Sequence, residues 1–92
     1  MSRLWIIAYD IVDDGVRGRV HDILKDYGER VQYSVFECRL NDAALKTLRT
    51  RVNAEIDEPD KVRWYPLCAW CADQVAWQGT GSPPEDDRFF LV

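Results

Sequence analysis

The chain has 92 residues, which fits one domain with a small core, and 47% of its residues are hydrophobic, as in a folded protein. No stretch is long and apolar enough to cross a bilayer, and the N-terminus lacks a secretory pattern, so we expect a soluble cytoplasmic protein. The net charge of −4 disfavours nucleic-acid binding, but residues 1–51 hold nine Lys or Arg against eight acids and residues 52–92 three against eight. Locally basic stretches in the first half therefore keep phosphate-backbone binding open.

The first predicted element is a short apolar strand, Leu4 to Asp10. Its alternate residues are apolar on both sides, so both sides need cover and the strand is expected to lie centrally in a sheet. The strand ends in Asp10, which it would hold beside a polar loop. Asp10 either takes part in chemistry there or starts a turn or caps the next helix.

A loop from Ile11 to Val16 is followed by an amphipathic helix from about Arg17 to Tyr27. The spacing i, i+3, i+4, i+7 of its apolar residues predicts the helix: Val20, Ile23, Leu24 and Tyr27. Asp13 or Asp14 is expected to cap its start, and Gly28 to end it.

Residues 30–40 are rich in strand formers but too long for one typical strand. A tight turn near Tyr33-Ser34 would divide them into two antiparallel strands. After the turn, Phe36, Cys38 and Leu40 alternate with polar residues, which is typical of a sheet that covers a core with one face.

A second helix is predicted from about Asp42 to Ile56, capped by Asn41 or Asp42 and ended by the segment around Pro59. The strand Val62 to Cys68 follows. Because Pro66 lacks an N–H to donate to a neighbouring strand, this is expected to be an edge strand.

The predicted order β-α-β-β-α-β is that of an α+β ferredoxin-like sandwich, over residues 1–78. Residues 75–77 are a candidate extra strand, and residues 79–92 form a C-terminal loop and apolar tail. The helices would cover one sheet face and leave large apolar side chains exposed on the other. We therefore expect a homodimer, with the tail packing on the partner and terminal strands exchanged or added across the interface.

Three cysteines, an odd number, do not indicate a disulfide framework: Cys38, Cys68 and Cys71. Cys68 and Cys71 form a CxxC, but a structural zinc site needs four ligands and only Cys38 and His21 remain. A redox CxxC usually follows an early strand at a helix start, and this one is late in the chain. Buried or half-buried thiols are the favoured interpretation, with zinc as the alternative. His21, beside the apolar stripe of its helix, is expected at the surface.

Three motifs in register resemble a known family. They are Tyr9-Asp10-Ile11-x-Asp13-Asp14 with Arg17, then Tyr27-Gly28-x-Arg30-Val31-Gln32-x-Ser34-Val35-Phe36-Glu37, and Asp60-x-Val62-Arg63-x-Tyr65-x-Leu67. From about Leu4 to Cys71 the sequence resembles CRISPR-associated protein 2, the small dimeric subunit of the CRISPR spacer-acquisition machinery.

The resemblance implies a ferredoxin-like homodimer in which two copies of Asp10 face each other as metal ligand and catalytic residue. It implies magnesium-dependent endonuclease activity on RNA or DNA. It also implies a role that does not need this activity, in which the dimer bridges two dimers of the CRISPR integrase subunit, CRISPR-associated protein 1, on a short duplex DNA.

The chemistry of the residues limits the nuclease hypothesis. Magnesium prefers hard oxygen ligands, and two Asp10 carboxylates with waters and a phosphate would supply them. The ion would then activate a water and offset phosphate charge. Asp13 and Asp14 are candidates for outer-shell hydrogen bonds. Because no histidine lies near in sequence to act as a general base, we expect a weak or conditional nuclease.

The supporting site residues have alternative interpretations. Ser34 donates to a phosphate oxygen or satisfies a turn, and Phe36 is favoured as core over a base-stacking platform. Arg17 and Arg19, at a helix N-terminus, hold a phosphate or form a solvated helix end. The cations of the second helix are favoured as a solvated face over a DNA track: Lys46, Arg49 and Arg51.

Three functions are thus considered, in decreasing order of preference. The first is a DNA-bridging subunit of the integration complex, and the second, compatible with it, is a metal-dependent endonuclease. The third is a ferredoxin-like regulatory or toxin-like ribonuclease module with no CRISPR role.

Overall fold

The computed structural model describes residues 2–74 and 76. In chain order the elements are β1 Arg3–Asp10, α1 Asp14–Lys25, β2 Gly28–Gln32, β3 Val35–Leu40, α2 Asp42–Asn53, β4 Lys61–Leu67 and α3 Ala69–Asp73. The predicted strand over 75–77, of which only Ala76 is described, lies outside these elements. The loop and tail over 79–92 lie outside the described residues, so the division at residue 78 stays a prediction.

The four strands form one antiparallel sheet in the order β2-β3-β1-β4. This is the strand order that the β-α-β-β-α-β connections of a ferredoxin-like sandwich produce, so the predicted fold is confirmed. β1 is central, as its two apolar sides predict. β4 is an edge strand, as Pro66 requires.

The core lies between the sheet and the helices α1 and α2. The register places Trp5, Ile7 and Tyr9 on the same sheet face as Phe36 and Cys38. Their partners from the helices are fully buried: Val20 and Leu24 from α1, Leu48 and Val52 from α2. The helical periodicity of the sequence therefore predicts the core-facing Val20 and Leu24 of α1 correctly.

The opposite sheet face, called here the open face, carries Leu4, Ile6, Ala8 and their cross-strand neighbours. Four of these six neighbours carry polar groups and two are apolar: Glu37, Arg39, Arg63 and Tyr65, then Val35 and Leu67. Leu4 is 3% exposed and Ala72 of α3 is 2% exposed, yet neither belongs to the main core cluster. Because α3 contacts β1 and β4, it covers the Leu4 end of this face. Beyond α3, Ile6 is half-buried and Tyr65 is 45% exposed, so large apolar side chains remain accessible on this face, as predicted, among charged neighbours.

Both long helices begin at capping side chains, and both end earlier than predicted. α1 starts three residues before the expected Arg17, because Asp13 Oδ2 accepts the Val16 N–H at 2.9 Å. Asn41 Oδ1 accepts the Ala44 N–H at 2.7 Å at the start of α2. α2 ends at Asn53 in a tightened last turn, well before Pro59.

Gly28 does not end α1, which stops at Lys25. It begins β2 opposite Cys38, where an added Cβ would overlap the Glu37 carbonyl oxygen and lie 2.6 Å from Cys38 Sγ. Glycine is needed here because two strands approach closely, and the helix-stop interpretation was wrong. Among the described helices, none combines the length and hydropathy of a membrane span.

Candidate functional site

Asp10 is the last residue of β1 and is exposed. It pairs with Lys61, and Ala8 pairs with Arg63, so the two cations lie on the strand next to the carboxylate. These residues and Tyr9 line a shallow cleft at the end of the sheet. The cleft therefore combines one carboxylate with two cations, a composition suited to a phosphate.

The loop after Asp10 is held on two sides. Arg17 Nη1 donates to the Ile11 carbonyl oxygen at 2.9 Å, and the same guanidinium forms an ion pair with Asp14. On the other side, Asp60 accepts from the Val12 N–H at 3.4 Å and from the Asp57 N–H at 3.3 Å. These contacts fix the chain direction immediately after the carboxylate.

These contacts assign local partners to three predicted site residues. Asp13 caps α1, and Asp14 and Arg17 bind each other. Arg17 therefore acts on the site loop rather than standing free at a helix N-terminus. Because α1 starts at Asp14, Arg19 lies beyond its first turn, where its Nε contacts Glu55 Oε1 at 2.7 Å.

The β2–β3 turn lies next to the end of β1. Ser34 has a left-handed backbone with φ of 64°, and its carbonyl oxygen accepts the Tyr9 N–H at 3.0 Å. The predicted turn at Tyr33-Ser34 is confirmed. Ser34 thus contributes a backbone contact that ties the hairpin to the residue before Asp10.

Phe36 is fully buried, which agrees with its core interpretation. Its ring contacts Tyr9 at 6.3 Å and His21 at 5.3 Å between centroids, the latter edge-on at 72°. The His21 side chain is 29% exposed, so it reaches solvent, as predicted, while its ring also packs on the core. A buried Phe36 ring offers no face for base stacking in this chain.

The cations of α2 are exposed, but two of them have aromatic neighbours. The Arg49 guanidinium lies 5.6 Å from the Trp64 ring centroid, and that of Arg51 lies 5.6 Å from the Tyr27 ring. Arg51 Nη2 also contacts Asp26 Oδ2 at 3.4 Å. These contacts agree with the favoured interpretation of a solvated face whose cations pack on their neighbours.

Two side chains that line the cleft, Tyr9 and Arg63, have shifted pKa values. Burial raises the pKa of Tyr9, an effect that the nearby Arg30 and Arg17 partly oppose. A hydrogen bond to Tyr65 raises the pKa of Arg63. The Arg63 guanidinium therefore keeps its positive charge at the mouth of the cleft.

Sequence reasoning did not select Asp60, Lys61, Arg63 or Tyr65 as site residues. Three of the four stand in the third motif, Asp60-x-Val62-Arg63-x-Tyr65. Alternation along β4 places Lys61, Arg63 and Tyr65 on one face. Their pairing with β1, however, depends on a register that only the folded sheet provides.

One chain does not complete a magnesium site. Within residues 2–74 and 76, no cluster of three or more His, Cys, Asp or Glu is arranged to hold a metal ion. Asp10 contributes one carboxylate, and the side chains beside it on β4 are the cations Lys61 and Arg63. Further oxygen ligands would have to come from a second Asp10, from waters and from a bound phosphate.

The three thiols have different surroundings. Cys38 is 1% exposed in the core, and burial raises its pKa to about 12. Cys68 and Cys71 are exposed, so the prediction of buried or half-buried thiols holds for Cys38 and is wrong for the CxxC pair. Since Cys38 is in the core, it does not complete a zinc site with that pair.

Comparison with known proteins gives consistent matches. The protein-family model described as "CRISPR associated protein Cas2" matches residues 2–75. "CRISPR-associated endoribonuclease Cas2 1" of Chloroflexus aurantiacus is 43% identical over 96% of this chain and 97% of its own. The crystal structure of hypothetical protein TT1823 from Thermus thermophilus is 44% identical, covers 92% of this chain and 100% of its own, and has a TM-score of 0.80. A chain of a "Partial Cas6-RT-Cas1--Cas2 complex" is 25% identical over 91% of this chain and 92% of its own, with a TM-score of 0.73.

Proposed function

This chain belongs to the CRISPR-associated protein Cas2 family, and from that membership we propose that it is the Cas2 subunit of a CRISPR spacer-acquisition complex. In this role a homodimer of the chain bridges two dimers of the Cas1 integrase and binds duplex DNA. The observation that carries the proposal is the similarity, over 91% of the chain, to a chain of a complex that contains Cas1 and Cas2. The third function considered above, a module with no CRISPR role, is disfavoured by the family membership.

The cleft and the open face support this role. Lys61 and Arg63 supply positive charge at the end of the sheet. Contacts of such cations to phosphates give binding that is independent of sequence and sensitive to salt. On the open face, half-buried Ile6 and the 45% exposed Tyr65 offer apolar surface to a second copy.

The test combines this protein with the Cas1 of the same genome and with short duplex DNA. We expect a Cas1–Cas2 complex in size-exclusion chromatography and duplex binding that weakens as salt rises. Substituting Lys61 and Arg63 together by Ala should reduce the slope of log affinity against log salt by about 2, one unit for each lost phosphate contact. Lys46→Ala, an exposed cation on α2, is the matched control.

Absence of both Cas1 association and duplex binding would contradict the bridging role. A smaller salt slope of DNA binding in Lys46→Ala, with no change in the double variant, would indicate that the DNA contacts α2 instead of the cleft. A repeat array and a Cas1 gene beside this gene would add independent support.

A second candidate function, favoured by the exposed Asp10 carboxylate and by the name of the Chloroflexus relative, is a metal-dependent endoribonuclease or DNase. Two Asp10 carboxylates across a homodimer would hold magnesium, which when bound lowers the pKa of a water and offsets phosphate charge. Arg17 and Asp60 would keep each carboxylate in place by fixing the loop that follows it.

Wild type, Asp10→Asn and Asp22→Asn should be purified in parallel and assayed on RNA and duplex DNA with and without magnesium. We expect weak, metal-dependent cleavage by the wild type. Asp10→Asn should abolish this cleavage, and Asp22→Asn, which removes an exposed carboxylate on α1, should retain it. Equal cleavage by wild type and Asp10→Asn would identify a contaminating nuclease, and the bridging role would then be the remaining proposed function.

A further inference from the structure

The CxxC pair stands at a junction between a strand and a helix. β4 ends at Leu67, Cys68 caps the next helix, and α3 runs over Ala69–Asp73 with Cys71 in its first turn. The sequence argument against a redox pair was its late position in the chain. The fold supplies the strand–CxxC–helix arrangement regardless of that position.

The two thiols are close to each other and accessible. The Cys71 N–H donates to Cys68 Sγ at 3.3 Å, and both cysteines are exposed, as is the intervening Trp70 at 71%. Ala72 anchors the helix by its burial against the sheet. The pair is therefore held on a supported turn that faces solvent.

The pair is chemically asymmetric. Hydrogen bonds from the Cys71 thiol and backbone lower the pKa of Cys68, while the same thiol contact raises the pKa of Cys71. Cys68 is thus the better nucleophile near neutral pH. In the described part of the chain, no third His, Cys, Asp or Glu completes a metal cluster with these thiols. A zinc ion here would therefore have two protein ligands, whereas a structural zinc site needs four.

We propose that Cys68 and Cys71 form a reactive dithiol that exchanges with low-molecular-weight disulfides. The Cys68 thiolate attacks one sulfur of the disulfide, forms a mixed disulfide and releases one thiolate of the reagent. Cys71 then loses its proton, and its sulfur attacks Cys68 Sγ and displaces the second thiolate. The products are one Cys68–Cys71 disulfide and two reduced small thiols, so the protein is oxidised by two electrons and the reagent is reduced by two.

The experiment equilibrates the full chain with mixtures of reduced and oxidised glutathione. After an acid quench, the remaining thiols are labelled with a maleimide and counted by intact mass and peptide mapping. We expect the wild type to lose two thiols, because a disulfide forms between residues 68 and 71, and to retain no glutathione adduct. Cys38 should label only after denaturation, because its thiol is in the core.

Two variants separate the roles of the thiols, and both should unfold at the wild-type temperature because the side chains are exposed. Cys71→Ser should accumulate a glutathione adduct on Cys68. Cys68→Ser should form no cross-link and should react more slowly than Cys71→Ser, because the backbone N–H of residue 71 donates to Cys68 Sγ and stabilises the Cys68 thiolate. Adducts on both wild-type cysteines without a cross-link, equal rates for the two variants, or a zinc ion that survives dialysis and protects both thiols would overturn the proposal.

Discussion

The two sides of β1 differ in burial: one side packs in the core, and the other is partly exposed among charged side chains. Ile7 points to α1 and α2 and has no exposed surface, whereas its neighbour Ile6 points to the open face and is half-buried. Around Ile7 the partners are apolar; around Ile6 they are Glu37 and Tyr65. The helix-covered face therefore carries the core, and the open face is left available for charge and partners.

The largest expected effect tests this division directly. Ile7→Ala should lower the free energy of unfolding by about 2–5 kcal/mol, because it removes buried methyl groups and leaves a cavity. Ile6→Ala, the same chemical change one residue away, should cost roughly 1 kcal/mol in the monomer, because the Ile6 side chain is only half-buried. Urea unfolding at low protein concentration measures both.

Equal losses for the two variants would contradict the division between the faces. A loss for Ile6→Ala that grows with protein concentration would instead show that a second copy covers the open face.

The close approach of β2 and β3 gives the second prediction. Gly28→Ala should destabilise by about 1–3 kcal/mol, because its Cβ would overlap the Glu37 carbonyl oxygen and Cys38. Gly18→Ala is the control: nothing lies within 4 Å of its added Cβ, and it is inside α1. It should stabilise by about 0.5–1 kcal/mol through helix propensity. Thermal unfolding of the two variants should move in opposite directions.

The cap of α1 gives a smaller effect at the point where the chain passes from β1 to the helix layer. Asp13→Ala should cost about 1 kcal/mol, since the Val16 N–H loses its side-chain acceptor. Asp13→Asn, which keeps an acceptor oxygen, should recover most of that loss in the same urea experiment. A neutral Asp13→Ala would show that the cap contributes nothing to the folded chain.

The smallest expected effect concerns charge on the open face. Burial and the facing carboxylate of Glu29 raise the pKa of Glu37. The folded chain therefore keeps this proton to higher pH than the unfolded chain, and the unfolding free energy falls as pH rises from about 4.5 through the folded-state pKa.

Glu37→Gln should accordingly stabilise at pH 7, by less than about 1 kcal/mol, and the gain should vanish below the ordinary glutamate pKa. Unfolding measured at pH 7 and pH 3.5 checks this. A gain of the same size at both pH values would point to packing rather than charge.

Much of the fold could be predicted from the sequence because its signals are local. The apolar periods of both long helices, the alternation of β3 and the proline in β4 each act within a few residues. Gly28 was misread because a helix stop and a close cross-strand contact both favour glycine, and only the position of Cys38 distinguishes them. α3, with five residues, is too short for a periodic pattern.

The candidate site was predicted in part, for the same reason. Asp10 stands out because it interrupts an apolar run. Besides its i,i+3 pair with Asp14, Arg17 contacts the Ile11 carbonyl in the preceding loop, and Arg19 contacts Glu55 after α2. A helix-based argument does not predict the contacts to Ile11 and Glu55. Lys61 and Arg63 become neighbours of Asp10 only through the pairing of β1 with β4.

That pairing has a consequence for the order of folding. β1 is made first but has no partner nearby in the chain: its neighbours in the sheet are β3 and β4, and the contact between Val12 and Asp60 spans 48 residues. Of the four strands that the structure describes, only β2 and β3 can pair through a short local turn. Closing long loops costs entropy before any contact compensates for it, so we expect the hairpin to form early and β1 to dock late. The Asp10 carboxylate, at the end of β1, thus reaches its final surroundings only after the chain has been made through β4.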